Sequence, residues 1–162
     1  MTQPSLQLGL LLYPELTQLD LTGPLEVLAR LPGATIHTVW KQAGPVRADS
    51  GLSLVASTSF ADCPPLDLVF VPGGFGQIAL MEDDETLSFV RHHGERARWV
   101  TSVCTGSLVL GAAGLLRGYR AATHWMFMDL LPAYGAVPVS ERVVIDRNRI
   151  TAGGVTAGID FG

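Results

Sequence analysis

Charged side chains are scarce in this sequence, and cysteine is scarcer. Asp, Glu, Lys and Arg make up 16% of the 162 residues, against 48% hydrophobic residues. A chain this apolar supplies a packed core for a single domain, and it argues against intrinsic disorder. The 11 basic residues are scattered and the net charge is −4, so the clustered Lys and Arg of a nucleic-acid footprint are missing. No apolar run reaches the length of a membrane span. The opening MTQPSLQLGLLLYPE has neither the basic start nor the small-residue cleavage site of a signal peptide. The two cysteines, Cys63 and Cys104, form no Cys-x-x-Cys pair and no disulfide framework. The expectation is a cytoplasmic protein in which a thiol stays a thiol. No two histidines have metal-ligand spacing such as HExxH, and the glycine-rich VPGGFGQ lacks the GxxxxGK[ST] of a phosphate loop. Neither a metal nor a cofactor is expected.

What is present alternates between short apolar runs and helical stretches. Leu6–Tyr13 and Leu66–Val71 are near-continuous apolar runs, as strands buried on both faces are. ATIHTVWK and RWVTSV read as further strands. Leu25–Leu31 has helical spacing and follows Gly23-Pro24, which predicts a helix opening at the proline. Helices are also expected through Ala79, from Asp84 to Arg96, and from His124 to about Pro132. Val46–Phe60 alternates around a Ser-Gly turn and predicts a small hairpin. RVVIDRNRITAGG predicts a second hairpin, turning at Asp146-Arg147-Asn148. Strands alternating with helices imply crossovers and a mostly parallel α/β sheet covered on both faces. The final GGVTAGIDFG looks like the start of a helix that is not completed, and a C-terminal helical part is expected to be missing.

The chemistry concentrates at WVTSVCTGS, where a β-branched strand stops on Cys104 and a small-residue helix begins at once. Ligands bind at the carboxyl ends of such strands. A helix start carries unpaired N–H groups and partial positive charge, so a thiolate there is expected to fall from about 8.5 toward neutrality or below. A tight strand-to-helix turn is the geometry of a nucleophile elbow, with the next N–H, that of Thr105, as an oxyanion donor. Gly73-Gly74 also ends a strand and offers a second set of donors. On these residues alone Cys104 is equally readable as a small buried hydrophobe. Cys63 sits in a proline-rich loop with no helix start behind it. Asp20, charged within an apolar stretch, reads first as a cap or turn residue. Glu26 reads as a solvated side chain. His37 reads as a structural strand residue, and His92 and His93 as solvated on a polar helix. His124, beside Thr123, reads equally as a pocket residue and as a cap.

SVCTGSLVLGAAGLL, the preceding VPGG and the following AATHW resemble the DJ-1/PfpI superfamily, which has the class I glutamine amidotransferase-like fold. QLDLTGPLEVLA, SFADCPPLDLVFVPGG and ITAGGVTAGIDF extend the likeness across nearly the whole chain. They narrow it to the isocyanide hydratase branch or the ligand-binding half of AraC-type regulators. The resemblance implies a flavodoxin-like three-layer sandwich over residues 1–162 and a homodimer. It implies that Cys104 is the nucleophile and that Asp20 stands beside it, protonated and donating to the thiolate as a general acid or base. Thr105, Gly73 and Gly74 would orient the substrate. Peptidase-like members carry a histidine directly after the nucleophile, where this chain has Thr105, so peptide cleavage is not expected. The implied activity is hydration of a small-molecule isocyanide to an N-substituted formamide through a covalent thioimidate. A glyoxalase- or deglycase-like enzyme, a redox sensor oxidised at Cys104 and a ligand-sensing regulator domain are the alternatives.

Overall fold

The computed structural model describes residues 5–161. In chain order the elements are β1 (Leu6–Leu11), α1 (Gln18–Leu28), β2 (Ala34–Trp40), β3 (Gly44–Arg47), β4 (Ser53–Ala56), β5 (Thr58–Ser59) and β6 (Leu68–Val71). They continue with α2 (Gln77–Leu80), α3 (Asp84–Gly94), β7 (Trp99–Val103), α4 (Gly106–Ala112) and β8 (Arg120–Ala121). A 3₁₀ segment (Trp125–Tyr134), β9 (Val137–Pro138), β10 (Val143–Asp146), β11 (Arg149–Ala152) and α5 (Ala157–Phe161) follow.

Seven strands form one sheet in the order β10-β11-β7-β6-β1-β2-β5, parallel throughout except for the β10–β11 hairpin. From β1 the chain crosses to β2 on one side, and from β6 it crosses to β7 in the opposite direction. Right-handed crossovers then place α1 and α3 on opposite faces. α5 packs against α1 and α4 packs against α3, completing the three-layer α/β sandwich that the alternation implies. The central strands are apolar because both faces are covered: all four residues of β6 are buried, as are the last four of β1. The reversal between β1 and β6 opens a crevice at their carboxyl ends, where ligands bind in sheets of this kind.

Both expected hairpins are present. β3 pairs antiparallel with β4, and β10 turns into β11 through Arg147, held at φ 55°. Two expectations are corrected. α1 does not open at Pro24 but at Gln18, with Pro24 inside the helix. The first turn is secured before the proline by Thr22 Oγ1, bonded to Gln18, and by the buried side chains of Asp20 and Leu21. His93 is not solvated. Its spacing from Thr86 and Val90 places it on the inward face of α3, where its ring lies 4.5 Å from that of Phe89. His92 is exposed, as expected. His37 Nε2 pairs with Gln7 Oε1 across neighbouring strands at 2.6 Å. Glu26 is exposed and ion-paired with Arg30 at 2.8 Å.

α4 is the helix on which the elbow depends, and residues 106–111 of it are buried. Its first residue is glycine because a Cβ there would lie 2.1 Å from the Val71 carbonyl oxygen. Backbone cannot swing aside as a flexible side chain can. Gly106→Ala is therefore expected to cost about 1–3 kcal/mol and to lower the melting temperature by several degrees or more. A circular-dichroism melt within a degree or two of the parent would show that α4 can retreat from β6 at little cost.

Candidate active site

Three neighbouring strands, β1, β6 and β7, deliver the site from their carboxyl ends. The chain leaving β6 at Pro72-Gly73-Gly74 pairs with the chain leaving β1. Thr17 N–H donates to the Gly73 carbonyl at 2.9 Å, Gly76 N–H donates to the Glu15 carbonyl at 3.2 Å, and Leu16 bridges Gly74. This splice brings the first turn of α1, with Asp20, against the loop that faces the end of β7. A Cβ on Gly73 would lie 2.7 Å from Asp20 Oδ2, 2.7 Å from Cys104 Cβ and 2.8 Å from Thr105 N. Only glycine leaves that space open, and the three groups converge on it.

Cys104 sits at φ 52°. This left-handed conformation is unfavourable for a non-glycine residue and typical of a side chain held for use. The residue is 7% exposed, and Asp20 is fully buried. Oδ2 of Asp20 accepts the Gly73 N–H at 3.1 Å. Its Oδ1 is buried without a well-formed hydrogen bond, although the thiol stands close enough for the two groups to interact. Burial raises the Asp20 pKa from 3.8 to about 6, against the opposing effect of the Gly73 N–H.

Burial also pushes the Cys104 thiol up, to about 12, with the neighbouring Asp20 charge adding to the rise and the Thr105 N–H opposing it. The direction of the thiol's shift differs from the expected thiolate held by a protonated Asp20. Desolvation outweighs a helix start of only seven residues, and the carboxyl retains an N–H donor of its own. Burial disfavours charge on both groups, and the carboxyl is the more readily ionised of the two.

The glycine N–H groups expected to orient a substrate are both engaged within the protein. Gly73 N–H serves Asp20, and Gly74 N–H donates to Thr105 Oγ1 at 3.0 Å. Thr105 faces the sulfur with its N–H and, to a lesser extent, its hydroxyl. Thr123 is buried and its hydroxyl donates to the Cys104 carbonyl at 2.8 Å. His124 is a cap: its Nδ1 accepts the Met126 N–H at 3.3 Å, and its ring stacks on Trp125. Cys63 is half-buried, with its Sγ 3.4 Å from the Pro64 carbonyl, and burial raises its pKa to about 11. A cavity of about 360 Å³, lined by Thr123, Trp125, Met128, Arg142, Gly153 and Thr156 among others, opens beside the elbow without including Cys104 or Asp20.

Tyr13 was not anticipated as a site residue. Its buried hydroxyl donates to the Pro72 carbonyl at 2.8 Å, and the ring is close enough to feel the charges of Asp20 and Cys104. The one signal in the sequence was a phenol at the end of an otherwise aliphatic run.

The DJ-1/PfpI family profile matches residues 8–162. The chain belongs to the DJ-1/PfpI family. Among relatives, it is 60% identical over 157 residues to an isonitrile hydratase of Pseudomonas putida, spanning 97% of this chain and 69% of that protein. It is 34% identical over 162 residues to the HTH-type transcriptional regulator GbdR of Pseudomonas aeruginosa, covering 95% of this chain and 44% of the regulator. Among solved structures, a ThiJ/PfpI family protein from Pseudomonas syringae superposes with a TM-score of 0.95 at 50% identity, covering 98% of this chain and 66% of that one. The chain therefore spans about two thirds of the first two DJ-1/PfpI relatives and under half of the regulator.

The raised carboxyl has a consequence for stability. A group with a folded pKa above its unfolded one stabilises the fold while protonated, and that contribution is lost as pH rises. For Asp20 the loss runs from about pH 4 through about pH 6 and reaches at most about 3 kcal/mol. Asp20→Asn is expected to melt above the parent at pH 8 and level with it near pH 4. An equal or lower melting temperature for the variant at pH 8 would show that the carboxylate is well solvated.

Proposed function

We propose that this chain hydrates an isocyanide to an N-substituted formamide, with Cys104 as nucleophile and Asp20 as the single acid–base group. The observation that carries the reading is a fully buried Asp20 whose carboxyl is fixed by the Gly73 N–H and shares one space with the Cys104 side chain. The 60% identity to the isonitrile hydratase supports it.

An isocyanide, R–N≡C, is weakly electrophilic at its terminal carbon. As the sulfur of Cys104 bonds to that carbon, the Asp20 carboxylate takes the thiol proton and returns it to the carbon. The product is a thioimidate, R–N=CH–S–Cys104. Water then adds to the same carbon. Asp20 takes a proton from the water, and the nitrogen gains one. The resulting R–NH–CH(OH)–S–Cys104 collapses with cleavage of the C–S bond, the sulfur recovers its proton, and R–NH–CHO leaves. No amine is expelled, so one carboxyl suffices for every transfer, and no imidazole is needed to protonate a leaving group. Thr105 N–H, directed at the sulfur, favours charge as it develops there.

The remaining features of the reading follow from this chemistry. The reaction needs a reduced thiol, which suits a cytoplasmic location. A homodimer is what the family resemblance implies, and large apolar side chains such as Phe75, Ile78 and Trp125 are exposed on this chain. The partner in catalysis is a small molecule, and the reaction calls on no metal or cofactor.

Formamide production from an aryl isocyanide, followed beside methylglyoxal consumption, tests the activity. Cys104→Ala is expected to abolish hydration, and Asp20→Asn to slow it by roughly 10²-fold or more. Acid-quenched mass spectrometry during turnover is expected to find the isocyanide's mass on the Cys104 peptide and not on the Cys63 peptide. Retained activity in Cys104→Ala overturns the covalent route. Methylglyoxal turnover in place of hydration favours the glyoxalase reading, and inactivity on both favours ligand sensing.

A further inference from the structure

Four buried hydroxyl side chains run behind the elbow, and the hydration chemistry uses none of them. Ser102 and Ser107 share a hydrogen bond of 2.7 Å, Ser107 Oγ donates to the Ala122 carbonyl at 2.6 Å, and Thr151 Oγ1 accepts the Ala122 N–H at 2.8 Å. The segment so fixed ends in Thr123, whose Oγ1 donates to the Cys104 carbonyl at 2.8 Å. Ser102, Ser107 and Thr151 are fully buried and Thr123 is 2% exposed. Burying hydroxyls costs more than burying methyl groups unless every partner is in place. Here each link ends one step nearer the nucleophile.

Cys104 is gripped from both sides. Its N–H donates to the Ala152 carbonyl at 2.9 Å on β11, and its carbonyl accepts from Thr123. The Cys104 carbonyl and the Thr105 N–H belong to one planar peptide and point in opposite directions. Holding the carbonyl therefore aims the N–H, and this N–H is the larger of the two Thr105 contributions at the sulfur. We propose that Thr123 is a positioning residue for the nucleophile: its hydroxyl fixes the Cys104–Thr105 peptide, keeps Cys104 left-handed and holds the Thr105 N–H on the thiol. Without that hydroxyl the carbonyl side of the peptide loses its anchor, although Thr105 stays bonded to Gly74 and Leu108. The N–H is then less well aimed at the sulfur, and the left-handed conformation loses one restraint.

The activity arm of the test rests on the hydration reading, whereas the thiol arm does not. Thr123→Val removes the hydroxyl and keeps the shape, and Thr123→Ser keeps the hydroxyl. The rate of Cys104 alkylation by iodoacetamide is measured from about pH 6 to pH 10, with Cys63 in the same sample as reference. In Thr123→Val the Cys104-to-Cys63 ratio at about pH 8 is expected to fall about tenfold, with the profile displaced to higher pH. In Thr123→Ser it stays within about twofold of the parent. With an aryl isocyanide, Thr123→Val lowers kcat about tenfold and leaves KM unchanged, because the residue orients the nucleophile and does not bind the substrate. A valine variant within twofold of the parent in the alkylation ratio, or a serine variant impaired as far as valine, overturns the proposal. Thr123→Ala is run under the same criteria. If neither valine nor alanine folds while serine folds normally, the hydroxyl is structural and the proposal fails. If the parent does not hydrate isocyanides, the functional reading falls and the alkylation ratio still decides the role of Thr123.

Discussion

A thiol and a carboxyl share one buried space at the ends of three parallel strands, and most of the local architecture serves to keep them there. Neither ionises comfortably. Burial raises both, Asp20 to about 6 and Cys104 to about 12; the Asp20 carboxylate disfavours a thiolate beside it, whereas the thiol, donating toward the carboxylate, favours its charge. The proposed mechanism takes the proton to rest on sulfur beside a poorly solvated carboxylate, the more readily ionised of the two. Such a base takes the proton readily once the sulfur begins to bond to carbon. On the proposed mechanism reactivity arises from the pair and not from a free thiolate, and this also fits a nucleophile that is 7% exposed.

The fold makes this pairing possible through close approach of backbone. The crevice lies where the sheet reverses between β1 and β6, and it is spliced shut by the bonds between Glu15–Thr17 and Gly73–Gly76. Gly73 leaves room for the three converging groups and supplies the N–H that keeps Asp20 ionisable near neutrality. Gly106 lets the helix behind the elbow lie against the Val71 carbonyl, so that Cys104 turns sharply into it. Tyr13, through its bond to Pro72, steadies the same loop from below.

The sheet was legible in the sequence because its strands are buried on both faces and leave continuous apolar runs. The hairpin at Asp146-Arg147-Asn148 was legible because turn residues interrupt such runs. The elbow was visible as a β-branched run meeting small residues at Cys104. Its partner was not: Asp20 in QLDLTG is indistinguishable from a cap until the β1–β6 splice places it against Gly73, and the family resemblance supplied what local pattern could not. The upward shift of the Cys104 thiol was not legible because a helix start is visible in sequence and desolvation is not. The start of α1 was misplaced because a proline seven residues into a helix is disfavoured only locally, and buried Asp20 and Leu21 outweigh it. Gly73 and Gly74 were recognised as special, but their N–H groups are committed to Asp20 and Thr105, pairings that depend on residues distant in the chain.

The claim that the two groups act as one proton-sharing pair is tested most directly by kcat/KM for an aryl isocyanide between about pH 4.5 and pH 8, corrected for uncatalysed acid hydrolysis. The account predicts a rate that falls below an inflection near pH 6, where Asp20 takes up a proton and can no longer receive the one on sulfur. It predicts that the inflection disappears in Asp20→Asn. A profile flat through pH 6 in the parent, or an inflection that survives unchanged in Asp20→Asn, would contradict it.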